Sequence, residues 1–312
     1  MAAAFTLDLL LGEPPERWHP VCWMGRAVDL SERLALGPDG DRGRQRLTGT
    51  VTAVVLPVGT WWLTRTALRW LPRRLSGMVE LALLAGALAG RSLYDGARSV
   101  EDGLARGTDE GRRRVGDMVG RDTEGLGEAD VVRAAIESVA ENANDGVVAP
   151  LFYGLVGGAP LALAYKMVNT MDSMIGYRSR RYHRFGWAAA RLDDAAGFIP
   201  ARLTAAAAAA VSPVAGGSAR GALTVWRRDA AGHASPNAGV CEAAFAGALG
   251  VRLGGENFYA GVGKQGPALG EGLPVPERDD IGRAALLMYA AAALTAAVGL
   301  LVRSIATGKG ER

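Results

Sequence analysis

The chain has 312 residues, of which 49% are hydrophobic and 21% charged, and its formal net charge is +3. This near-neutral balance, without a basic cluster interleaved with aromatic residues, argues against nucleic acid as a partner. Two cysteines and three scattered histidines exclude a disulfide framework and a zinc site with the usual ligand spacing.

The apolar residues are concentrated in long runs that carry almost no charge. A helix that crosses the hydrocarbon core of a bilayer needs about 20 mostly apolar residues. The sequence predicts five candidate membrane segments, at residues 48–64, 75–93, 147–165, 199–219 and 284–302. We therefore predict an all-α, polytopic integral-membrane protein, one membrane-embedded domain over residues 1–312, whose polar helical loops form the active site. The alternative is a large soluble α-protein with buried helices.

The segment 147–165 differs from an ordinary membrane helix. Its helix-breaking residues are Pro150, Gly154, Gly157, Gly158 and Pro160. Broken helices are tolerated at membrane depth only where they line a protein cavity. We therefore expect a re-entrant hairpin here, which would place the polar segments 133–145 and 166–202 on the same side.

The first polar cluster is a stripe of charged residues before that segment. Arg133, Glu137, Glu141 and Asp145 recur every four residues and therefore share one face of a helix. Three carboxylates on one stripe repel each other unless a cation lies among them, and their hard oxygen atoms suit Mg²⁺. The spacing alone favours a solvated acidic face with Arg133 as its counter-ion. The Asn-Ala-Asn-Asp-Gly turn at 142–146 favours a site.

The second cluster directly follows the broken segment. Lys166, Asn169 and Asp172 lie at helical spacing, and apolar residues separate them. Polar side chains beside a membrane segment are costly unless they line a site. The alternative is a helix end at the membrane interface, with the Lys166 ammonium reaching into the head groups.

The third cluster is basic at residues 178–184 and continues with Arg191, Asp193, Asp194 and Arg202. Clustered arginines bind phosphate in a bidentate manner, and paired aspartates beside them suit a metal–nucleotide complex. A juxtamembrane basic belt that contacts anionic lipid is the alternative, and it applies most strongly to residues 178–184.

The fourth cluster runs from His233 through Ser235, Pro236 and Asn237 to Glu242. A Ser-Pro-Asn turn is a typical beginning of a helix, and the helix is expected to start near Gly239. This pattern alone favours a helix cap over a site.

Several strings of residues occur together in a fixed order between residues 7 and 260. They are Leu7–Pro15 with Met24-Gly25-Arg26, Val119–Thr123, Glu137–Asn142, Asp145–Pro150, Tyr165-Lys166 with Asn169–Asp172, Arg191–Asp194, Ile199–Arg202, Ser235–Gly239 and Gly247–Gly255. In this order they resemble the adenosylcobinamide-phosphate synthase family. Ala143 stands where that family commonly has Ser or Thr, and Val240-Cys241 stands where it commonly has Trp-Pro; neither departure affects a charged position.

The resemblance implies an ATP-dependent carbon–nitrogen ligase of cobalamin biosynthesis that uses Mg²⁺. Its substrates would be adenosylcobyric acid, which is a corrinoid, (R)-1-amino-2-propanol O-phosphate and ATP. The expected location is the bacterial inner membrane, in contact with lipid, with several transmembrane helices and an active site that faces the cytoplasm. A complex with other enzymes of the late pathway is also expected.

With the resemblance, the charged clusters become hypotheses about the site. The residues assigned to catalysis are Glu137, Glu141, Asp145, Lys166 and Asp172. Those assigned to substrate or phosphate binding are Arg121, Asp122, Asn142, Asn169, Arg191, Arg202 and Asn237. Asp193 and Asp194 are assigned to Mg²⁺.

A membrane transporter of a corrinoid or an organic anion is the alternative function. The polar residues Lys166 and Asp172 and the broken segment are compatible with it. The long acidic segment 91–146 favours the ligase, because a small transporter rarely needs so large a charged loop.

Overall fold

The computed structural model describes residues 1–36, 42–177 and 179–308, so that Arg178 of the basic cluster lies outside the described residues. The helices are α1 (Ala2–Leu11), α2 (Pro20–Ala35), α3 (Arg42–Trp70), α4 (Arg73–Ala85), α5 (Gly90–Leu104), α6 (Thr108–Gly116), α7 (Glu128–Asn142), α8 (Ala149–Ile175), α9 (Trp187–Val211), α10 (Ala219–Asp229), α11 (Ala238–Leu249) and α12 (Asp279–Gly308). A π-helix covers Ala143–Val148, and one hairpin pairs β1 (Leu253–Tyr259) with β2 (Val262–Leu269). The predicted all-α class is confirmed; the small hairpin was not predicted.

Four helical stretches in the described part of the chain are long and apolar enough to cross a membrane. They are Gly43–Trp70, Glu128–Ile175, Trp187–Ala215 and Asp279–Ala306. In the stretch Gly43–Trp70, only 22% of the most apolar 18 residues are buried inside the protein. Such a large exposed apolar surface is costly in water, so we expect lipid to cover it. The predicted segment 75–93 is divided between the 13-residue helix α4 and the beginning of α5.

The chain divides into two compact units. The first contains Met1–Ala89, Ala149–Gly197 and the described residues from Gly299 onward. The second contains Gly90–Val148 and Phe198–Val298. The predicted single membrane-embedded domain and its five segments stay predictions.

Helix α8 is the centre of the first unit, where α2, α3 and α4 pack against it. It is broken at Gly157 and Gly158, inside the segment expected to be broken. The rings of Tyr153 and Tyr165 stack with their centroids 5.0 Å apart. Twelve residues of a straight helix rise about 18 Å, too far for this contact, so the two halves of α8 turn back towards each other at the glycines.

The carboxylate of Glu80 stabilises this break. Its Oε1 accepts a hydrogen bond of 3.3 Å from the backbone N–H of Ala159, the first residue after the break. The early N–H groups of a helix have no partner within the helix, and a carboxylate also offsets the positive end of the helix dipole. The one acidic residue in the apolar run 75–93 therefore caps the second half of α8.

We predict that Gly158→Ala destabilises the protein. Gly158 has a φ of 68°, and a Cβ atom there would lie 2.5 Å from Glu80 Oε1. Backbone strain of this kind costs about 1–3 kcal/mol, and the displaced cap adds to it. Thermal unfolding in detergent should therefore show a lower Tm. Gly77→Ala is the matched control, because Gly77 lies in α4 with open space around it, and its Tm should be unchanged or slightly higher.

Helices α7 and α11 form the interior of the second unit. Helix α11 is buried over its whole length and packs against α7 and α10. Helix α10 approaches α11 closely, because a Cβ on Gly221 would meet the Gly247 carbonyl oxygen at 2.4 Å. The hairpin packs against both α7 and α11 through β1. This arrangement brings the polar face of α7 next to the hairpin.

Candidate active site

Glu137 of α7 lies at the centre of a buried ion-pair network. Its Oε2 accepts a 2.6 Å hydrogen bond from Arg121 Nη2, and its Oε1 accepts from Arg133 Nη1 at 3.3 Å. The N–H of Gly254 in β1 donates to the same Oε1 at 2.7 Å. The three charged side chains are at most 10% exposed. A carboxylate withdrawn from water in this way is stable only because two guanidinium groups and an amide compensate its charge.

Asn257 of β1 joins the same network from the hairpin. Its Oδ1 accepts from Arg121 Nη1 at 2.5 Å and from Arg133 Nη1 at 3.1 Å. Arg133 Nη2 also donates to the Glu256 carbonyl at 3.1 Å. The side chains of α7 thus fix the position of the hairpin. The spacing of residues in the sequence does not predict this contact.

One hydrogen-bond donor of this network has no partner. The Nε of Arg121 is buried and makes no hydrogen bond to the described residues, although the side chain is only 8% exposed. A buried donor left unsatisfied costs about 1–3 kcal/mol, and more when it is charged. Groups of this kind are uncommon in folded proteins, and the Arg121 side chain also borders two cavities. Arg121 is therefore the best-supported anion-binding residue of the predicted set.

The larger cavity of the second unit has a volume of about 1230 Å³. Its charged lining residues are three arginines and four acids, namely Arg121, Arg133, Arg252, Asp122, Glu124, Asp130 and Glu256. Gly254 and Gly255 form part of its wall and expose backbone instead of side chains. Both glycines have positive φ, 76° and 98°. The three guanidinium groups and the exposed backbone are the parts of this wall that suit an anionic ligand, since arginine binds phosphate and carboxylate in a bidentate manner.

A smaller cavity of about 260 Å³ is lined by acidic groups. Glu137, Glu141 and Glu242 border it, together with Asn142 and His233. Arg121 and the two glycines of β1 border both cavities. The two cavities thus place guanidinium groups and carboxylates close together, and such a site can bind both an anion and an amine.

Burial in α11 raises the pKa of Glu242 well above its ordinary value of 4.5. The negative charges of Glu137 and Glu141 raise it further, while Arg121 and Arg133 lower it. Strongly shifted carboxyl groups in cavities are common at functional sites. Glu242 therefore belongs to the candidate site, although the sequence pattern favoured a helix cap there.

Because the pKa of Glu242 is raised, the stability of the protein should depend on pH. Between pH 4.5 and the raised pKa, unfolded Glu242 loses its proton while the folded protein keeps it, so the free energy of unfolding falls as pH rises. Glu242→Gln resembles the protonated carboxyl and does not titrate. We predict that the variant unfolds at a higher temperature than the parent at pH 8, and that this advantage disappears towards pH 4.5. Thermal unfolding in detergent across this range tests it; a parent that is more stable than the variant at pH 8 contradicts it.

The stripe on α7 is only partly a solvated face. Arg133 and Glu137 are buried, whereas Glu141 is exposed at the edge of the smaller cavity. Asn142 Nδ2 donates to the Ser138 carbonyl within the helix, at 2.9 Å. Arg133 and Glu137 are therefore not part of a solvated acidic face. Arg133 is nevertheless the counter-ion of a carboxylate, because it pairs with Glu137.

Asp122 holds the hairpin turn. Its two carboxylate oxygens accept from the N–H groups of Ala260 and Gly261, at 3.1 and 2.7 Å, and its own N–H donates to the Phe258 carbonyl. These contacts give Asp122 a positioning role beside the predicted role in binding phosphate.

Other predicted residues of the second unit lie in the π-helix and on α9. Asn144 Nδ2 donates to Asp145 Oδ1 at 2.7 Å within the π-helix. Short π-helical turns are frequent at functional sites. Arg202 Nη1 donates to Asn237 Oδ1 at 2.9 Å, and its guanidinium lies over the Phe198 ring. The predicted residues Arg202 and Asn237 are thus direct partners.

The remaining predicted residues belong to the first unit. They are Lys166, Asn169, Asp172, Arg191, Asp193 and Asp194. Lys166 Nζ donates to Asn169 Oδ1 at 3.4 Å on α8, and Arg191 Nη1 donates to Asp194 Oδ2 at 3.2 Å on α9. Both contacts agree with the expected helical spacing, and the catalytic and binding roles stay predictions.

No group of three or more His, Cys, Asp or Glu residues that could hold a metal ion is found among the described residues. Mg²⁺ usually takes only one or two protein carboxylates and completes its shell with water and substrate phosphate. The carboxylate oxygens of Asp193 and Asp194 have the chemistry that Mg²⁺ prefers, so these residues stay its predicted ligands.

Comparison with known proteins gives a consistent result. The family model described as CobD/Cbib protein matches residues 1–288. A relative from Geobacter metallireducens, called cobalamin biosynthesis protein CobD, is 44% identical over 97% of this chain and 96% of its own length. Relatives of the same name from Mycobacterium tuberculosis and Chromobacterium violaceum are each 46% identical, over 95% and 97% of this chain and 93% and 96% of their own lengths. No solved structure matches the chain.

Proposed function

The chain belongs to the CobD/Cbib protein family, and we propose that it is the adenosylcobinamide-phosphate synthase of cobalamin biosynthesis. It would form the amide bond between adenosylcobyric acid and (R)-1-amino-2-propanol O-phosphate, driven by ATP. The relatives' names support the pathway. The resemblance of the ordered motifs supports the reaction.

The observation that carries the proposal is the buried guanidinium of Arg121, which borders both cavities and is held by Glu137 and Asn257. Amide formation from a carboxylate requires an activated acyl group, and ATP supplies one as an acyl phosphate. Negative charge then develops on the phosphoryl and acyl oxygens. A preorganised donor in a site that excludes water stabilises such charge far better than water does.

The network around Arg121 keeps this donor in place before substrate binds. Glu137 and Asn257 each hold one terminal nitrogen of its guanidinium, so the position of the guanidinium is fixed. We assign Arg133 and Arg252 to the anionic groups in the larger cavity and the carboxylates of the smaller cavity to the ammonium of the amino alcohol. When both reactants are fixed in this way, they lose translational and rotational entropy on binding. The chemical step then no longer carries this cost.

Mg²⁺ would neutralise phosphate charge during transfer, and Asp193 and Asp194 are its proposed ligands. Lys166, Asn169, Asp172 and Arg191 stay proposed contacts to substrate. We further propose that the protein resides in the bacterial inner membrane, with the active site facing the cytoplasm, where ATP is available. The four long apolar helices support a location in a membrane. A complex with other enzymes of the late pathway is part of the proposal.

The test is a reconstituted reaction of the detergent-solubilised protein with adenosylcobyric acid, aminopropanol phosphate and Mg·ATP. Mass spectrometry should detect adenosylcobinamide phosphate, formed with consumption of ATP. Omitting either organic substrate should prevent product formation. Failure to form product with intact, corrinoid-binding protein would contradict the proposal.

The broken helix α8 keeps one alternative open, because discontinuous helices are also used by transporters. A transporter would move a labelled corrinoid into sealed vesicles that contain the protein, without consuming aminopropanol phosphate. The ligase would convert the corrinoid instead.

A further inference from the structure

Glu242 borders the smaller cavity from the buried helix α11, and its side chain is only 9% exposed. The charged groups that face it from neighbouring elements are Glu137, Glu141 and Arg133 on α7 and Arg121 before that helix. The carboxylates of this wall suit a substrate ammonium group. Burial raises the pKa of Glu242 in the free protein, and the positive charge of a bound ammonium lowers it again, so that the ionised carboxylate can accept a proton.

His233 connects this carboxyl to the edge of the cavity. Its Nε2 lies 3.8 Å from Glu242 Oε1, and its side chain is 23% exposed, more than that of Glu242. Its Nδ1 lies 3.1 Å from both the N–H and the carbonyl oxygen of Ser235. A neutral ring that carries its proton on Nδ1 donates to this carbonyl and leaves Nε2 free to accept a proton from Glu242, and the protonated ring keeps the same bond to the carbonyl. Both protonation states of His233 are therefore satisfied by the same turn.

We propose that Glu242 accepts the proton from the substrate ammonium and that His233 passes this proton towards solvent. The proposal rests on the proposed ligase function and assigns the pair a task in it. The Ser-Pro-Asn turn then does more than begin α11, because it also holds the imidazole Nε2 3.8 Å from the Glu242 carboxyl group.

The protons and charges of this step balance. The ammonium gives one proton to the Glu242 carboxylate, and the neutral amine attacks the acyl carbon of the acyl phosphate. The C–N bond forms as the C–O bond to phosphate breaks. The second proton lost from nitrogen leaves with hydrogen phosphate, and the first reaches solvent through His233. No oxidant or reductant is needed.

The test compares two nucleophiles. Aminopropanol phosphate arrives as an ammonium and needs a base, whereas hydroxylamine is already neutral at pH 7 and needs none. Glu242→Gln should slow amide formation about 100-fold at pH 7, within the range typical of general-base catalysis. It should form the hydroxamate of adenosylcobyric acid within about twofold of the parent. His233→Asn should show the same selectivity with a smaller loss.

Two controls make the outcome decisive. Glu271→Gln changes an exposed carboxylate outside both cavities and should leave both rates unchanged. Equal losses with both nucleophiles in Glu242→Gln, or full amide formation by that variant, would overturn the proposal. If the parent protein forms neither product, the proposed function itself fails, which is a distinct result.

Discussion

Arg121→Gln is expected to abolish ligation and to destabilise the protein at the same time. Glutamine removes one of the two guanidinium charges that compensate buried Glu137, and with it the guanidinium that borders both cavities. Breaking one side of a buried ion pair costs about 3–5 kcal/mol. The loss of activity alone would therefore not separate binding from folding.

A second substitution separates the two effects. In Arg121→Gln with Glu137→Gln, one positive and one negative charge are removed together, and Arg133 keeps Asp130 and Asn257 as partners. The Tm should therefore recover part of the loss. Product formation should stay at least 100-fold below that of the parent, because the donor at the cavity is still absent. Arg121→Lys keeps the charge but loses the planar fork, and it should also be nearly inactive.

Arg106→Gln is the matched control for these variants. Arg106 is an exposed arginine of the same unit whose nearest carboxylate, Glu110, is 4.0 Å away. Its replacement should change neither the Tm nor the rate measurably. Recovery of activity in the double variant would show that Arg121 serves only the fold.

Gly254→Ala is the second substitution expected to have a large effect. A Cβ there would lie 2.0 Å from the Pro267 carbonyl oxygen, which is backbone of the paired strand and cannot move away alone. The strands must separate locally, and the Gly254 N–H then leaves Glu137. We expect ligation to fall more than 100-fold and the Tm to decrease.

Gly272→Ala isolates the cause of that effect. Gly272 also has a positive φ, of 86°, but nothing lies within 4 Å of the Cβ it would gain, and it lies outside both cavities. It should therefore show the backbone strain alone, about 1–3 kcal/mol, with most of the activity retained. Equal losses of activity in the two variants would show that strain, and not separation of the hairpin, is responsible. Rates and melting temperatures of both proteins in the same detergent decide this.

The sequence predicted those features that depend on neighbours along the chain. Uncharged runs indicated the long apolar helices, and the Gly157-Gly158-Ala159-Pro160 string indicated the break in α8, because glycine permits the positive φ and proline suits the first turn of a helix. The spacing of Arg133 and Glu137 placed them on one face of α7, and the structure shows that they pair.

Contacts between distant parts of the chain could not be predicted from local sequence patterns. Arg121 and Asn257 are 136 positions apart, and no periodicity connects them. The hairpin was missed because its strands are rich in glycine and its turn, Ala260-Gly261, lacks the common Asn-Gly or Asp-Gly signal. Asp122 supplies the missing support from elsewhere in the chain by binding both N–H groups of that turn. Glu242 was underrated because its cavity exists only after α7 and α11 pack.

The most direct measurement of the central claim follows oxygen from substrate to phosphate. Adenosylcobyric acid labelled with ¹⁸O in its reacting carboxylate is incubated with the protein, aminopropanol phosphate and Mg·ATP. ATP-driven ligation through an acyl phosphate predicts adenosylcobinamide phosphate together with one ¹⁸O in each inorganic phosphate released. Absence of the amide product, or product formed while the released phosphate carries no ¹⁸O, would contradict the account.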